Sequence, residues 1–352
     1  MRQFLQGHGL DDAAVEAAAA DGSLVRLTSE RLLMLGDAAK YDADDVMALS
    51  GMDRSVAESL WRALGFPVNE LEGRYGDLDV MALAAAEEFF ELPDELPELL
   101  HQTRVMASAM TRVAETVCDR IVTTIREAES EGVGQEDLAD ITFERLVADE
   151  FVQVVDYMLR RQMLAVLERR LDQTTVGDET EVLASIGFAD LAGFTRLSRK
   201  LDASELSVLV DHFEARVLDL VAQNGGRVVK TIGDEIMFVA EDAAVGSEIG
   251  LCLVDAASDD ELLPDLKVGL AYGPLIARRG DYFGTAVNTA SRLTDHARPG
   301  TVLGSEELKD AAGDAPVYWR SIGKVSLKDL GRVPTFSLRR LRSDDDSDES
   351  DE

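Results

Sequence analysis

Cysteine is scarce in this chain: Cys118 and Cys252 are the two in 352 residues, and they lie far apart. The two could pair, but nothing suggests a disulfide framework, and a reducing compartment is the simpler reading, which predicts a cytoplasmic protein. Long apolar runs are missing as well. No segment approaches the roughly 18 uncharged apolar residues of a membrane-spanning helix, so no membrane span is expected. The opening residues, MRQFLQGHGLDD, lack a basic stretch followed by an apolar one, and no secretory leader is expected. Basic residues are outnumbered, with 35 Lys and Arg against 68 Asp and Glu, a formal net charge of −33. A surface of that sign repels nucleic acid and anionic lipid, so no nucleic-acid partner is expected. It repels phosphorylated small molecules too, and any site for one must supply its own lysine, arginine or bound metal cation.

What is present has an ordinary globular balance, 46% hydrophobic and 29% charged, with length enough for two domains. Residues 1–172 read as all-α, because Ala, Leu, Met, Glu and Arg dominate and β-branched runs are few. Within residues 41–67, DDVMALSG, a turn at Gly51-Met52-Asp53 and SVAESLWRALGFP make a helix-turn-helix-like pair. Asp42, Asp44, Asp45, Asp53 and Glu58 outnumber Arg54 and Arg62 there, the wrong sign for a phosphate-facing surface. Helical packing is therefore predicted over DNA binding. A long helix carries Val105, Ala109, Val113, Val117, Ile121 and Ile125 at four-residue spacing. Another carries Leu146, Val154, Met158, Leu159, Met163, Val166 and Leu167. Stripes this wide predict a bundle core or a dimer interface.

Residues 173–181 are polar, contain Gly177 and read as a linker. From 182 to 342 strands and helices alternate: EVLASIGFAD, a helix over Ser204–Gln223, a hairpin over Arg227–Ala240 and a helix over Ala243–Ala257. A strand over Leu266–Tyr272 and a helix over Thr285–Ala297 follow, which predicts a mixed α+β sheet. The last residues, 343–352 (SDDDSDESDE), are a run of like charge expected to be a disordered acidic tail.

Three segments carry chemistry. In FADLAGFT, Phe188–Thr195, an apolar strand ends in Asp190 and Gly193 turns the chain toward a helix. A carboxylate there can hold a divalent metal beside free helical amides, although a lone Asp at a strand end is more often a helix cap. In VVKTIGDEIMF, Val228–Phe238, Gly233-Asp234 reads as a hairpin tip that sets a second carboxylate near Asp190. Two carboxylates with two cations clamp the attacking and leaving oxygens of phosphoryl transfer, although Gly-Asp is also ordinary turn chemistry. In DYFGTAVNTASRL, Asp281–Leu293, Asn288 and Arg292 lie four apart on one helical face. An amide and a guanidinium so placed suit charge developing on phosphorus; a structural Asn–Arg pair is the alternative.

In this order and spacing the three segments resemble the class III nucleotidyl cyclases, over about Val182 to Arg340. The resemblance implies a ferredoxin-like catalytic domain that works as a homodimer, with active sites shared across the interface. It implies that Asp190 and Asp234 bind two divalent cations per site, Mg²⁺ or Mn²⁺. Lys230 and Asp281 match the Lys and Asp that read adenine in adenylyl cyclases, where guanylyl cyclases have Glu and Cys. Asn288 matches the residue that orients the ribose, and Arg292 the transition-state arginine. Phe188, Gly193, Phe194 and Thr195 fall in the substrate-binding segment. Lys328, in VSLKDLG, matches a phosphate-binding lysine, although the family usually has LKG and Asp329 departs from it. The implied reaction converts ATP to 3′,5′-cyclic AMP and pyrophosphate.

The helical half is similar to the regulatory domain of a group of soluble bacterial adenylyl cyclases, on LWRALGFP (Leu60–Pro67) and the acidic helices after it. That likeness leaves room for a small-molecule, lipid-like or pH signal. His8, His101, His212 and His296 are the side chains whose ordinary pKa lies near neutrality. Rival readings are a diguanylate cyclase, a guanylyl cyclase and an inactive cyclase fold used as a scaffold. The Ile232–Ile236 run lacks the diguanylate pattern, Lys230 and Asp281 oppose guanine, and every expected catalytic position is filled.

Overall fold

The computed structural model of the chain describes residues 1–7, 9–33, 40–65, 75–89, 94–146, 149–172, 181–278 and 280–341. His8, Phe66, Pro67, residues 173–180 of the expected linker, with Gly177, and the acidic tail 343–352 lie outside the described residues. Two compact units are present, Met1–Leu167 and Glu168–Glu352.

The first unit is helical: α1 (Arg2–Gly7), α2 (Asp12–Asp21), α3 (Leu24–Leu33), α4 (Ala43–Ser50) and α5 (Arg54–Leu64) come first. Then follow α6 (Asp77–Phe89), α7 (Leu96–Ser130), α8 (Gln135–Leu146) and α9 (Asp149–Asp172), in which the unit boundary falls. Asp42 and Asp45 form a capping box at the start of α4, and Gly51 ends it with φ 77°. The α4–α5 pair buries Val46, Met52, Val56 and Leu60 with Tyr75, Leu83 and Leu99, which is the packing role the sequence suggests. Leu5, Val15, Leu24 and Ala139 make a second small core.

The wide apolar stripes behave differently. In α7 Leu99 and Thr103 are buried, but Val105 and Val113 are exposed and Val117, Ile121 and Ile125 are half-buried. In α9 Val154, Met158, Leu159, Met163 and Leu167 are exposed. A spacing of four creates a stripe without saying what covers it, and among the described residues no bundle core does so.

The second unit runs β1 (Glu181–Leu191), α10 (Phe194–Leu197), α11 (Ala203–Gln223), β2 (Arg227–Ile232), β3 (Glu235–Ala240), α12 (Ala243–Ser258) and β4 (Leu266–Arg278). It continues with β5 (Asp281–Phe283), α13 (Thr285–His296), β6 (Thr301–Ser305), α14 (Glu306–Ala312), β7 (Val317–Leu327) and β8 (Gly331–Arg340). Among the described residues the sheet order is β2-β3-β1-β4-β6-β8-β7, with β5 beside β4. The β1–α11–β2–β3–α12–β4 stretch, with neighbouring strands antiparallel, is the ferredoxin-like arrangement within an α+β unit. β4 outruns the expected end at Tyr272 because β1 stays paired with it through Gly273 and Pro274 to Ile276.

Strand alternation divides two of the unit's cores. Ala189 and Leu191 with Ile236, Phe238, Val268 and Leu270 face α11 and α12, where Phe213, Val217, Ile249 and Leu253 cover them. Ile186, Phe188, Met237 and Ala271 face the other way, onto Ala286 and Ala290 of α13. Gly269 permits the close approach of α13: a Cβ there would stand 2.3 Å from the Ala290 carbonyl oxygen and the Thr294 nitrogen. Both are backbone atoms, so no rotamer change relieves the clash. Gly269→Ala should cost about 2–3 kcal/mol, read as a lower urea midpoint. An unchanged midpoint would refute the close approach.

Candidate active site

The register places Asp190, at the end of β1, opposite Glu235 of β3 on one side and Lys267 of β4 on the other. A two-residue turn, Gly233-Asp234, joins β2 to β3, and Gly233 takes φ 66°, which a glycine adopts freely. The Leu191 N–H donates to the Asp234 carbonyl at 3.2 Å, which holds the turn against the end of β1. Asp190 and Asp234, paired by expectation, are thereby neighbours. Burial pushes the Asp190 carboxyl up, the ion-paired Lys267 ammonium pulls it back, and Asp234 pushes it up again. Burial, with Asp190, Asp295 and Asp234 nearby, raises Glu235 from an ordinary 4.5 to about 7.

Glu235, Lys267 and Asp295 did not figure among the candidates from sequence. Glu235 directly follows Asp234, and Lys267 is a charge set in the apolar strand run Leu266–Ala271, a signal that alternation alone does not decode. Asp190 and Asp234 offer two oxygen ligands that repel each other in a partly buried place, a donor set that fits a hard divalent cation. Among the described residues no group of three or more His, Cys, Asp or Glu is arranged to hold a metal. The remaining coordination would fall to water and substrate oxygens, as Mg²⁺ favours.

A second cluster lies where β2 and β5 meet. Lys230 follows a bulge in β2, and its Nζ donates to Asp281 Oδ2 at 2.5 Å. The Tyr282 N–H donates to Asp281 Oδ1 at 2.9 Å, and Arg227 Nη2 donates to the Tyr282 hydroxyl at 2.9 Å. The structure therefore brings Lys230 and Asp281 together as an oriented donor and acceptor.

On α13, Asn288 is exposed, and Arg292 is half-buried with Nη1 donating to Asp295 Oδ2 at 3.1 Å. Thr294 Oγ1 donates to the Phe188 carbonyl at 3.3 Å and pins α13 to β1. The Phe188 side chain is 4% exposed, in the core beneath α13, because its position in β1 faces that helix. Gly193, with φ 76°, opens α10, which is a single turn rather than a full helix. The amides of Phe194 and Thr195 precede its first bond, from the Arg196 N–H to the Gly193 carbonyl at 2.9 Å. Lys328 is exposed in the β7–β8 turn and makes no ion pair among the described residues. Of the described histidines, His212 meets a carboxylate, with Nε2 2.8 Å from Asp260 Oδ2, while His296 is exposed and His101 half-buried.

Residues 178–340 match the adenylate and guanylate cyclase catalytic domain. Over 275 residues the chain is 36% identical to an adenylate cyclase of Streptomyces coelicolor, which spans 77% of this chain and 71% of that protein. It is 35% identical over 273 residues to an adenylate cyclase of Streptomyces griseus, with 77% and 68% covered. A pH-sensitive adenylate cyclase of Mycobacterium tuberculosis is 28% identical over 344 residues, 90% of this chain and 84% of that one. The chain belongs to the adenylate and guanylate cyclase family of enzymes.

The raised Glu235 carboxyl has a thermodynamic signature. The folded protein keeps a proton that the unfolded chain releases, so stability is lost as pH rises from 4.5 through about 7. Glu235→Gln removes that loss. With metal chelated, the variant's thermal midpoint relative to wild type should be more favourable at about pH 8 than at about pH 5. An equal gap at both pH values would show that Glu235 does not hold the proton.

Proposed function

We propose that this enzyme is an adenylate cyclase that converts ATP to 3′,5′-cyclic AMP and pyrophosphate. The Lys230–Asp281 pair carries the reading. An ammonium donates to adenine N1 and a carboxylate accepts from the 6-amino group. Guanine reverses both edges and would set like groups against each other. The adenylate cyclases among the relatives support the same choice.

Asp190 and Asp234 would hold two divalent cations per site, Mg²⁺ or Mn²⁺. When bound, such cations neutralise triphosphate charge and ease deprotonation of the attacking ribose 3′-hydroxyl. That hydroxyl attacks the α-phosphorus, and the bond to the pyrophosphate oxygen breaks. Asn288 orients the ribose, and Arg292 stabilises the charge that grows on the transferring phosphoryl group. The Gly193, Phe194 and Thr195 amides receive phosphate oxygens. Lys328 adds a cation toward the same phosphates.

Each site in this reading is shared across a homodimer, with Asp190 and Asp234 from one subunit and Lys230, Asp281, Asn288 and Arg292 from the other. Two features of the single chain support it. Lys230 turns its ammonium to Asp281 although Asp234 is four residues away, and Asn288 stands exposed. The helical unit is the proposed regulatory part, responding to pH or to a small-molecule or lipid-like ligand; its pH-sensitive relative supports this. Among the described residues no helix is long and apolar enough to cross a membrane. We place the enzyme in the cytoplasm, where ATP is supplied and where Cys118 and Cys252 stay free.

Base choice is tested by Lys230→Glu with Asp281→Cys. The double variant should lose ATP turnover by about 10²-fold or more, since two polar contacts to the base are inverted. ATP turnover equal to the parent's would mean these residues do not read the base.

Site sharing is tested by complementation. Asp190→Ala and Arg292→Ala proteins should each be nearly inactive. Co-expressed with different tags, they form heterodimers in which one site carries both lesions and the other neither. Random pairing gives about half heterodimers, so activity should return to about a quarter of wild type. A purified heterodimer no more active than its parents would mean that each subunit builds its own site.

A further inference from the structure

Lys267 is the cation of the acidic corner. It lies directly opposite Asp190 in the β1–β4 register, and its Nζ forms an ion pair with Asp190 Oδ2. The two side chains are 20% and 19% exposed, so the pair is largely out of water, where a charge-assisted bond is stronger than at a surface. Asp234 and Glu235 lie close to Asp190, and Asp295, which acts on Glu235, is engaged by Arg292. The Lys267 ammonium therefore balances negative charge at the place where a divalent ion would sit.

We propose that Lys267 is a built-in occupant of the metal site, an ammonium that pairs with Asp190 when no metal is bound and must be displaced for a divalent cation to enter. The inference rests on the reading of Asp190 and Asp234 as the metal-binding pair. A lysine suits this role better than an arginine. Its ammonium is a point charge on a flexible stem, so it can leave one carboxylate without breaking a bidentate fork, and β4 need not move.

The consequence is competition within the molecule. A cation from solution binds only the fraction of sites from which the ammonium has swung away, which lowers its apparent affinity by that fraction. Metal alone therefore binds weakly. A metal ion that brings further oxygen ligands on a bound nucleotide displaces the lysine more easily, which links loading of the metal to loading of substrate.

The experiment is a Mn²⁺ titration of the full chain without nucleotide, following the paramagnetic resonance signal of free Mn²⁺. Wild type, Lys267→Met, Lys267→Arg and Asp190→Asn are compared, because an acidic surface also binds Mn²⁺ loosely. The site-specific component is the part that Asp190→Asn abolishes. Lys267→Met should bind that component on the order of tenfold more tightly than wild type, and Lys267→Arg no more tightly. Metal-free Lys267→Met should also melt lower than wild type and gain more from Mn²⁺, since its Asp190 has lost a partner. Should that variant fail to fold, Lys267→Gln replaces it, with circular dichroism as the check. Mn²⁺ affinity equal to or weaker than wild type in the folded uncharged variant would overturn the proposal while leaving the metal pair in place. Mn²⁺ binding unchanged by Asp190→Asn would remove the metal assignment itself, and the lysine's role with it.

Discussion

Carboxylates repel one another, and this fold sets Asp190, Asp234 and Glu235 together at one end of β1 in a chain already carrying a net charge of −33. That concentration of charge is held by backbone, not by the side chains themselves. The β1 register with β3 and β4 fixes Asp190 between Glu235 and Lys267, and the Gly233-Asp234 turn is tied to β1 through Leu191. Behind the strands, two apolar cores supply the free energy that makes such a cluster tolerable, at about 25 cal/mol for each square ångström of apolar surface buried. The acidic corner is expensive in the absence of cations, and the protein answers with one lysine and one raised carboxyl.

Much of the catalytic unit was legible because its signals are local. Gly233-Asp234 between two β-rich runs specifies a hairpin tip through the left-handed φ that glycine accepts, and the tip is where it was expected. Asp190 at the end of an apolar run, and Asn288 and Arg292 at helical spacing, follow from period alone. The neighbours of Asp190 do not. Which residue of β4 stands opposite it depends on a register set by β1 pairing along its whole length, so Lys267 is invisible until the sheet is formed. Asp295 acts on Glu235 from α13, a helix that Gly269 lets settle closely on β4. Motif membership likewise does not tell which face of a strand a side chain takes, and that of Phe188 faces the helix.

The helical unit shows the complementary failure. Four-residue spacing in α7 and α9 reports an apolar stripe correctly and says nothing of its cover. Val105, Val113, Val154, Met158 and Leu159 remain exposed in the single chain. Rows of this kind retain a hydrophobic cost that a partner surface can remove. The homodimer proposed above would present the same row twice by symmetry and need no second protein.

The β7–β8 turn shows how a departure from a pattern can preserve shape while changing charge. Lys328 is followed by Asp329, where the resembling family usually has glycine, and Asp329 takes φ 67°, the left-handed conformation that glycine enters freely. Among the described residues it is the one non-glycine there. Aspartate tolerates that region better than most side chains, since a short polar group can bond locally. The turn that presents Lys328 is thus kept, and what changes is electrostatic. A carboxylate now adjoins the ammonium and offsets part of its attraction for a phosphate. In the proposed mechanism Arg292 carries a comparable offset, since its guanidinium donates to the Asp295 carboxylate at 3.1 Å.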